Sequence, residues 1–180
     1  PKELHWFKWE AYTTWISGFA LLIIIYYLNA ESMMIDKNVN NINSFTAIVI
    51  SLSFLAASWL IYDFFCKSNL INNTILFSTV CLIVAIIISY LLTKIYGSRA
   101  AYIHVGASLG TIMAANVFRV IIPSQKNMVD AALANKEPDL QKGLSAKNRS
   151  IHNNYLTLPV LFIMISSHFP FTYGHKYHWL

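Results

Sequence analysis

Five long apolar stretches constrain this chain more than any other feature. They run over residues 12–28, 44–65, 74–96, 100–122 and 154–169. About 20 apolar residues cross a bilayer as a helix, and each stretch comes close to that length. Only helices and closed barrels satisfy every backbone hydrogen bond inside lipid, and the alternation of barrel strands is absent. The sequence therefore predicts an all-α fold, a polytopic transmembrane bundle of about five spanning helices in a single integral-membrane domain over residues 1–180.

Composition agrees with a membrane protein and indicates a fragment. The chain is 56% hydrophobic and 12% charged, whereas soluble domains carry about 25% charged residues. The sequence begins at Pro1, and its last residues, "YGHKYHWL", look like the start of a further apolar segment. We therefore expect these residues to be a piece of a longer protein.

The net charge of +5 comes from basic residues between the apolar stretches, which does not favour nucleic-acid binding. The segment 123–150 holds Lys126, Lys136, Lys142, Lys147 and Arg149. Loops rich in Lys and Arg stay on the cytoplasmic side. We therefore expect this loop to be cytoplasmic and the C-terminal end periplasmic, in a bacterial inner membrane. Within the loop, the sequence predicts a short helix over about residues 124–135, followed by a solvated connector.

The two cysteines argue against several kinds of site. Cys66 and Cys81 form no CxxC, CxxCH or zinc-ligand spacing. This pattern excludes covalent haem attachment within these residues, and it favours neither a zinc site nor a disulfide. No P-loop, Rossmann glycine run or Ser-His-Asp pattern is present either.

The fourth apolar stretch carries two different faces. His104, Ser108 and Thr111 share one face of a helix, where an ionisable group inside a membrane is a functional candidate. Gly106 and Gly110 lie on another face in a GxxxG pattern. Small residues at this spacing let helices approach closely. We therefore expect the glycine face to pack against a neighbour and His104 to face a polar interior.

The segment "RSIHNNYLTLPVLFIMISSHFP", residues 149–170, is polar at both ends and holds Pro159 in its middle. One predicted helix face combines Asn154, Thr157, Leu161, Met164 and His168. His152 falls at the cytoplasmic edge, about 24 Å from His168 along a helix, so these two histidines do not share a metal ion.

His104 and His168 are instead predicted at a similar depth, in the outer third of consecutive antiparallel helices. Two histidines placed so are candidate axial ligands of a haem b iron. The alternative is that each histidine is a hydrogen-bonded interface residue. His5, His175 and His178 lie outside the predicted spans and are weaker candidates. Asp63, at the end of the second stretch, is expected to be a membrane-edge anchor or a partner of Lys67.

The same segment resembles the "RS-x-HNNY-x-TLPV" region of the membrane-bound, cytochrome c-linked urate oxidases (urate hydroxylases). The stretches "LHWFKWEAYTTWISGFALL", "YIHVGASLGTIMAANVF" and "VIIPSQKNMV" are also similar to that family, so the resemblance covers nearly the whole chain. Ser167 and Phe169 depart from the asparagine and tyrosine of the family pattern.

The resemblance implies oxidation of urate to 5-hydroxyisourate, with electrons passed to cytochrome c. It also implies a haem c in a downstream domain, or a separate cytochrome c as partner. The motif's polar cluster matches the substrate-binding candidates Arg149, His152, Asn153, Asn154 and Tyr155. No residue is assigned a catalytic role.

Two other functions stay open on the residues alone. One is a non-catalytic haem b electron carrier. The other is a transporter or a membrane anchor for a cytochrome, which the helix-packing glycines favour. The expected partners are urate, cytochrome c and the lipid bilayer.

Overall fold

The computed structural model describes residues 4–175 and residue 177, and every regular element among them is helical. The α-helices are α1 (Leu4–Leu22), α2 (Ala30–Met33), α3 (Ser44–Lys67), α4 (Thr74–Leu92), α5 (Ser98–Asn116), α6 (Ile122–Leu133), α7 (Leu140–Ser166) and α8 (Pro170–Tyr173). The all-α prediction is confirmed for these residues. His178 and the side chain of His5 lie outside what the structure describes.

Three helices among the described residues are long and apolar enough to cross a membrane. They are α3, α4 and the helical stretch Ser98–Leu133, in which α5 continues into α6. The prediction of five spans was therefore wrong for residues 12–28 and 154–169. The first of these changes from α-helix to π-helix after Leu22. The second is only the apolar half of α7, whose other half is polar.

The segment between α5 and α7 is mostly helical. Helix α6 confirms the short helix expected near residues 124–135. The solvated connector expected after it is exposed but shorter than residues 136–150, because α7 already begins at Leu140. The Asp139 carboxylate caps that helix and accepts from the backbone N–H groups of Gln141 and Lys142, at 3.0 and 3.2 Å. A carboxylate acceptor at this position satisfies backbone donors that would otherwise lack a partner. This cap favours a helix start at Leu140, which leaves only a short connector after α6.

Helix α5 is the centre of the bundle. It packs against α1, α3, α4 and α7. The largest apolar core lies at one end, where the π-helical segment Ile23–Tyr27, α2 and the start of α5 meet. The outward faces expose large apolar side chains, such as Phe45, Ile75 and Leu158. Apolar residues thus fill both the core and much of the outer surface.

Gly106 confirms the expected close approach of two helices. A Cβ atom at this position would lie 2.7 Å from Cγ2 of the buried Ile163 in α7. A Cβ at Gly110, one turn later, would meet nothing within 4 Å. The GxxxG pattern therefore contributes one tight contact, and it is at Gly106.

Substitution of Gly106 by alanine should destabilise the bundle by about 1–3 kcal/mol, the usual cost of overpacking a filled interface. The matched control is Gly110→Ala, which should be neutral or stabilise by up to about 1 kcal/mol because alanine favours helix. The free energy of unfolding in lipid–detergent micelles measures both. Equal effects of the two substitutions would contradict this packing.

Candidate functional site

Buried and half-buried polar side chains gather at the end of the bundle where α3 finishes. We call this group the inner cluster, and it consists of Tyr62 and Asp63 of α3, Asn116 of α5, and Arg149, His152 and Asn153 of α7. Arg149 and Asn153 lie one turn apart on α7, so the helix turns both side chains toward α5. The Arg149 residue is 3% exposed and Asn116 is fully buried.

An ion pair anchors the inner cluster. Arg149 Nη2 donates to Asp63 Oδ1 at 2.5 Å, and Lys67 Nζ lies 2.6 Å from Asp63 Oδ2. The contact with Lys67 confirms one of the two roles expected of Asp63. Lys67 is largely exposed, whereas Arg149 is buried. Because a buried charge without a partner is costly, Asp63 is what allows Arg149 to lie inside the bundle.

Asparagine side chains extend the network away from the ion pair. Asn116 Oδ1 accepts from Arg149 Nη1 at 3.0 Å. Asn116 Nδ2 donates to Asn153 Oδ1 at 3.0 Å and to Tyr62 Oη at 3.2 Å. Asn153 Nδ2 in turn donates to the carbonyl of Met113. The two amides thus link α3, α5 and α7 through directed hydrogen bonds.

His152 ends the network at its accessible edge. Its Nδ1 lies 2.8 Å from Tyr62 Oη, and Cys66 Sγ is 3.9 Å from the same nitrogen. The ring stacks on Phe77 of α4, with centroids 4.9 Å apart. No hydrogen bond from His152 Nε2 to another described residue is found, and this atom is not sealed from the surroundings. Burial, with a smaller contribution from the Arg149 charge, lowers the pKa of His152 below its usual value of 6.5.

The lowered pKa predicts a loss of stability in acid. The unfolded chain binds a proton at His152 near pH 6.5, and the folded chain binds it only at lower pH. Stability from neutral His152 is therefore complete above about pH 6.5 and falls as the pH drops below that value. Thermal unfolding between pH 7.5 and pH 5 measures the loss. His152→Gln should reduce the pH dependence, and an unchanged slope would contradict this assignment.

A second group, the outer cluster, lies at the opposite end of α3 and α5. It comprises Tyr27, Ser51, Tyr96 and His104. The Tyr27 hydroxyl is 2.7 Å from Ser51 Oγ, which is 2.7 Å from His104 Nε2. His104 Nδ1 donates to the carbonyl of Ala100 at 2.7 Å, and the ring stacks on Tyr96 with centroids 4.8 Å apart. His104 is fully buried among these polar groups, in agreement with the polar interior expected for it.

These contacts do not fit a haem held by His104 and His168. Both ring nitrogens of His104 are hydrogen-bonded, so neither has a lone pair directed at open space. His168 follows the end of α7 and is exposed. The alternative, in which His104 is a hydrogen-bonded interface residue, agrees with these contacts. Among the described residues, no group of three or more histidine, cysteine or acidic side chains is arranged to hold a metal ion.

The comparison with protein families gives the broader identity. The family described as "Urate oxidase N-terminal" matches residues 1–180. This chain belongs to the urate oxidase N-terminal family. No curated protein and no solved structure matches it.

In this member of the urate oxidase N-terminal family, the five substrate-binding candidates divide into two groups. Arg149, His152 and Asn153 come together in the inner cluster. Asn154 and Tyr155 are exposed on the other side of α7. The predicted face of Asn154, Thr157, Leu161, Met164 and His168 lies on one side of α7, and that side is exposed. The buried face of α7 instead passes through Ala146, Arg149 and Ile163.

Sequence reasoning missed several residues of both clusters. Asn116 was the easiest of them to predict, because an amide within an apolar stretch stands out in the sequence. Tyr62, Tyr27 and Ser51 gave no comparable signal. Each cluster also adjoins a π-helical segment, Ile23–Tyr27 beside the outer cluster and Val117–Ile121 directly after Asn116. Single π-helical turns often occur at functional sites.

Proposed function

We propose that this chain is the membrane domain of a urate-oxidising enzyme that passes electrons to cytochrome c in a bacterial inner membrane. The family match over the whole chain is the observation that carries the proposal. The three long apolar helices and the apolar outer surface support a bilayer location. The proposal places the inner cluster and the 123–150 segment on the cytoplasmic side, with several helices crossing the membrane.

The reaction requires a partner that takes electrons. Urate and one water give 5-hydroxyisourate, two protons and two electrons. Two cytochrome c haems accept one electron each, because protein side chains do not store electrons at these potentials. That cytochrome c is either a downstream domain holding haem c or a separate protein. A haem b within this chain forms no part of the proposal, since His104 and His168 do not fit one.

The inner cluster is the proposed place of urate binding. Urate is a planar anion with several oxygen and nitrogen acceptors. Around Asp63 lie two cations, Arg149 and Lys67, which leave one positive charge in excess. His152 adds an aromatic ring and an accessible nitrogen next to Phe77. An excess positive charge beside aromatic surface and hydrogen-bond donors suits an anionic purine.

The test is urate-dependent reduction of cytochrome c by membranes that contain the full-length protein. We expect reduction with urate, formation of 5-hydroxyisourate, and two cytochromes reduced per urate. Membranes without the protein are the control. Uptake of labelled urate without oxidation would replace the proposal with a transporter, and haem spectra without urate turnover would replace it with an electron carrier.

A further inference from the structure

The inner cluster contains a hydrogen-bond chain whose direction is fixed from one end. Arg149 only donates and Asp63 only accepts. Asn116 must therefore present its oxygen to Arg149 and its NH₂ group to the other side. Asn153 requires the same orientation, because its own NH₂ donates to the Met113 carbonyl and its oxygen is left to accept from Asn116. The oxygen and nitrogen positions of the Asn116 and Asn153 amides, which are usually ambiguous, are therefore both determined by their partners.

The direction continues through Tyr62 to His152. Asn116 Nδ2 donates to Tyr62 Oη, so this oxygen already acts as an acceptor. The Tyr62 hydroxyl proton is then free to donate to His152 Nδ1, at 2.8 Å. Cys66 Sγ is the other acceptor beside the Tyr62 hydroxyl, but sulfur accepts weakly compared with an imidazole lone pair. His152 Nδ1 is therefore unprotonated, and its proton lies on Nε2.

We propose that Tyr62 and Asn116 are positioning residues that select the tautomer of His152. The donor-to-acceptor order of hydrogen bonds that begins at the Asp63–Arg149 ion pair continues through them, so that His152 presents an Nε2–H donor at the edge of the site. The inference rests on the proposed function for its substrate. An outward donor selects ligands with an acceptor, such as the oxygens or the anionic nitrogen of urate. It disfavours ligands that present an N–H at the same point.

Nitrogen NMR of the full-length protein with ¹⁵N-labelled histidine, in lipid nanodiscs at pH 7.5, tests the proposal directly. The ¹⁵N shifts distinguish the two tautomers, and His152→Gln identifies the His152 signals. The exposed His168 supplies the reference for an unconstrained tautomer mixture. We expect wild-type His152 to show the Nε2–H form alone. The same mixture at His152 as at His168 would overturn the proposal.

Two substitutions test the transmission. Tyr62→Phe removes the hydroxyl, and His152 should then move toward the mixture seen at His168. Asn116→Asp replaces the amide that donates to Tyr62 by a carboxylate that only accepts. Tyr62 should then donate to that carboxylate and accept from His152, which reverses the tautomer. Unchanged His152 signals in a folded Asn116→Asp protein would overturn the proposal. If neither variant folds, the wild-type tautomer alone decides it.

Urate kinetics supply a second readout. Loss of the enforced donor in Tyr62→Phe should raise the KM for urate by roughly 2- to 12-fold, the range that one hydrogen bond is worth. The matched control is Tyr102→Phe, which removes a tyrosine–serine hydrogen bond to Ser166 away from the inner cluster. This control should leave KM unchanged, and an equal rise in both variants would overturn the proposal. Absence of urate turnover in the wild type would overturn the proposed function, while the NMR result would still stand.

Discussion

Replacement of Asp63 by alanine should lower the free energy of unfolding by about 3–5 kcal/mol, the usual cost of leaving a buried charge without its partner. Arg149 is 3% exposed, and Asp63 is the acidic side chain in contact with it. The Asn116 oxygen alone does not neutralise a guanidinium. Reversible denaturation in lipid–detergent micelles measures the loss, and urate turnover should disappear with it.

The matched control is Lys67→Ala, which removes the exposed cation from the same carboxylate. Exposed ion pairs contribute about 0–1 kcal/mol, so this variant should stay close to the wild type. The double variant Asp63→Leu with Arg149→Met removes both buried charges and should recover much of the stability without recovering turnover. Equal losses for Asp63→Ala and Lys67→Ala would contradict the buried ion pair.

Replacement of His104 by alanine should lower the free energy of unfolding by about 2–4 kcal/mol, through the cavity that it leaves and the loss of its hydrogen bond to Ser51. His104 is fully buried, stacks on Tyr96 and bonds Ser51. The matched control is His168→Ala. His168 is exposed, so its removal should change stability by less than about 0.5 kcal/mol.

Absorption spectra of the same two variants separate a structural role from haem ligation. If His104 and His168 are not a ligand pair, the visible spectrum of the purified full-length protein should be the same in wild type and both variants. Loss of a b-type haem band in both variants would contradict the assignment of His104 to the hydrogen-bonded outer cluster.

The apolar stretches predict helix positions well because hydrophobic length is a strong local signal. They predict membrane crossing less well, as α7 shows. Its apolar residues are nearly as many as a membrane-spanning helix needs, but they share one helix with the polar segment from Leu140 to Arg149. The glycine face of α5 was predictable because spacing on one helix determines it. Which glycine makes the tight contact depends on Ile163, and the local pattern does not contain that information.

The inner cluster was predictable only on the α7 side. His152 and Asn153 lie three and four residues after Arg149, so one helix brings both to the side of Arg149. Their partners come from helices far away in the sequence, and Asp63 is 86 residues from Arg149. The face from Asn154 to His168 is exposed, and the sequence did not indicate this, because in a chain with an apolar exterior an amphipathic pattern does not show which face is buried.

Equilibrium binding of labelled urate to the purified full-length protein tests the central claim most directly, with His152→Leu and His168→Leu compared at equal folding. If the inner cluster is the urate site, His152→Leu should weaken binding by about tenfold or more, the loss expected when a hydrogen bond to a charged ligand is removed. His168→Leu should leave binding unchanged. Weakened binding in His168→Leu alone, with His152→Leu equal to wild type, would contradict the account.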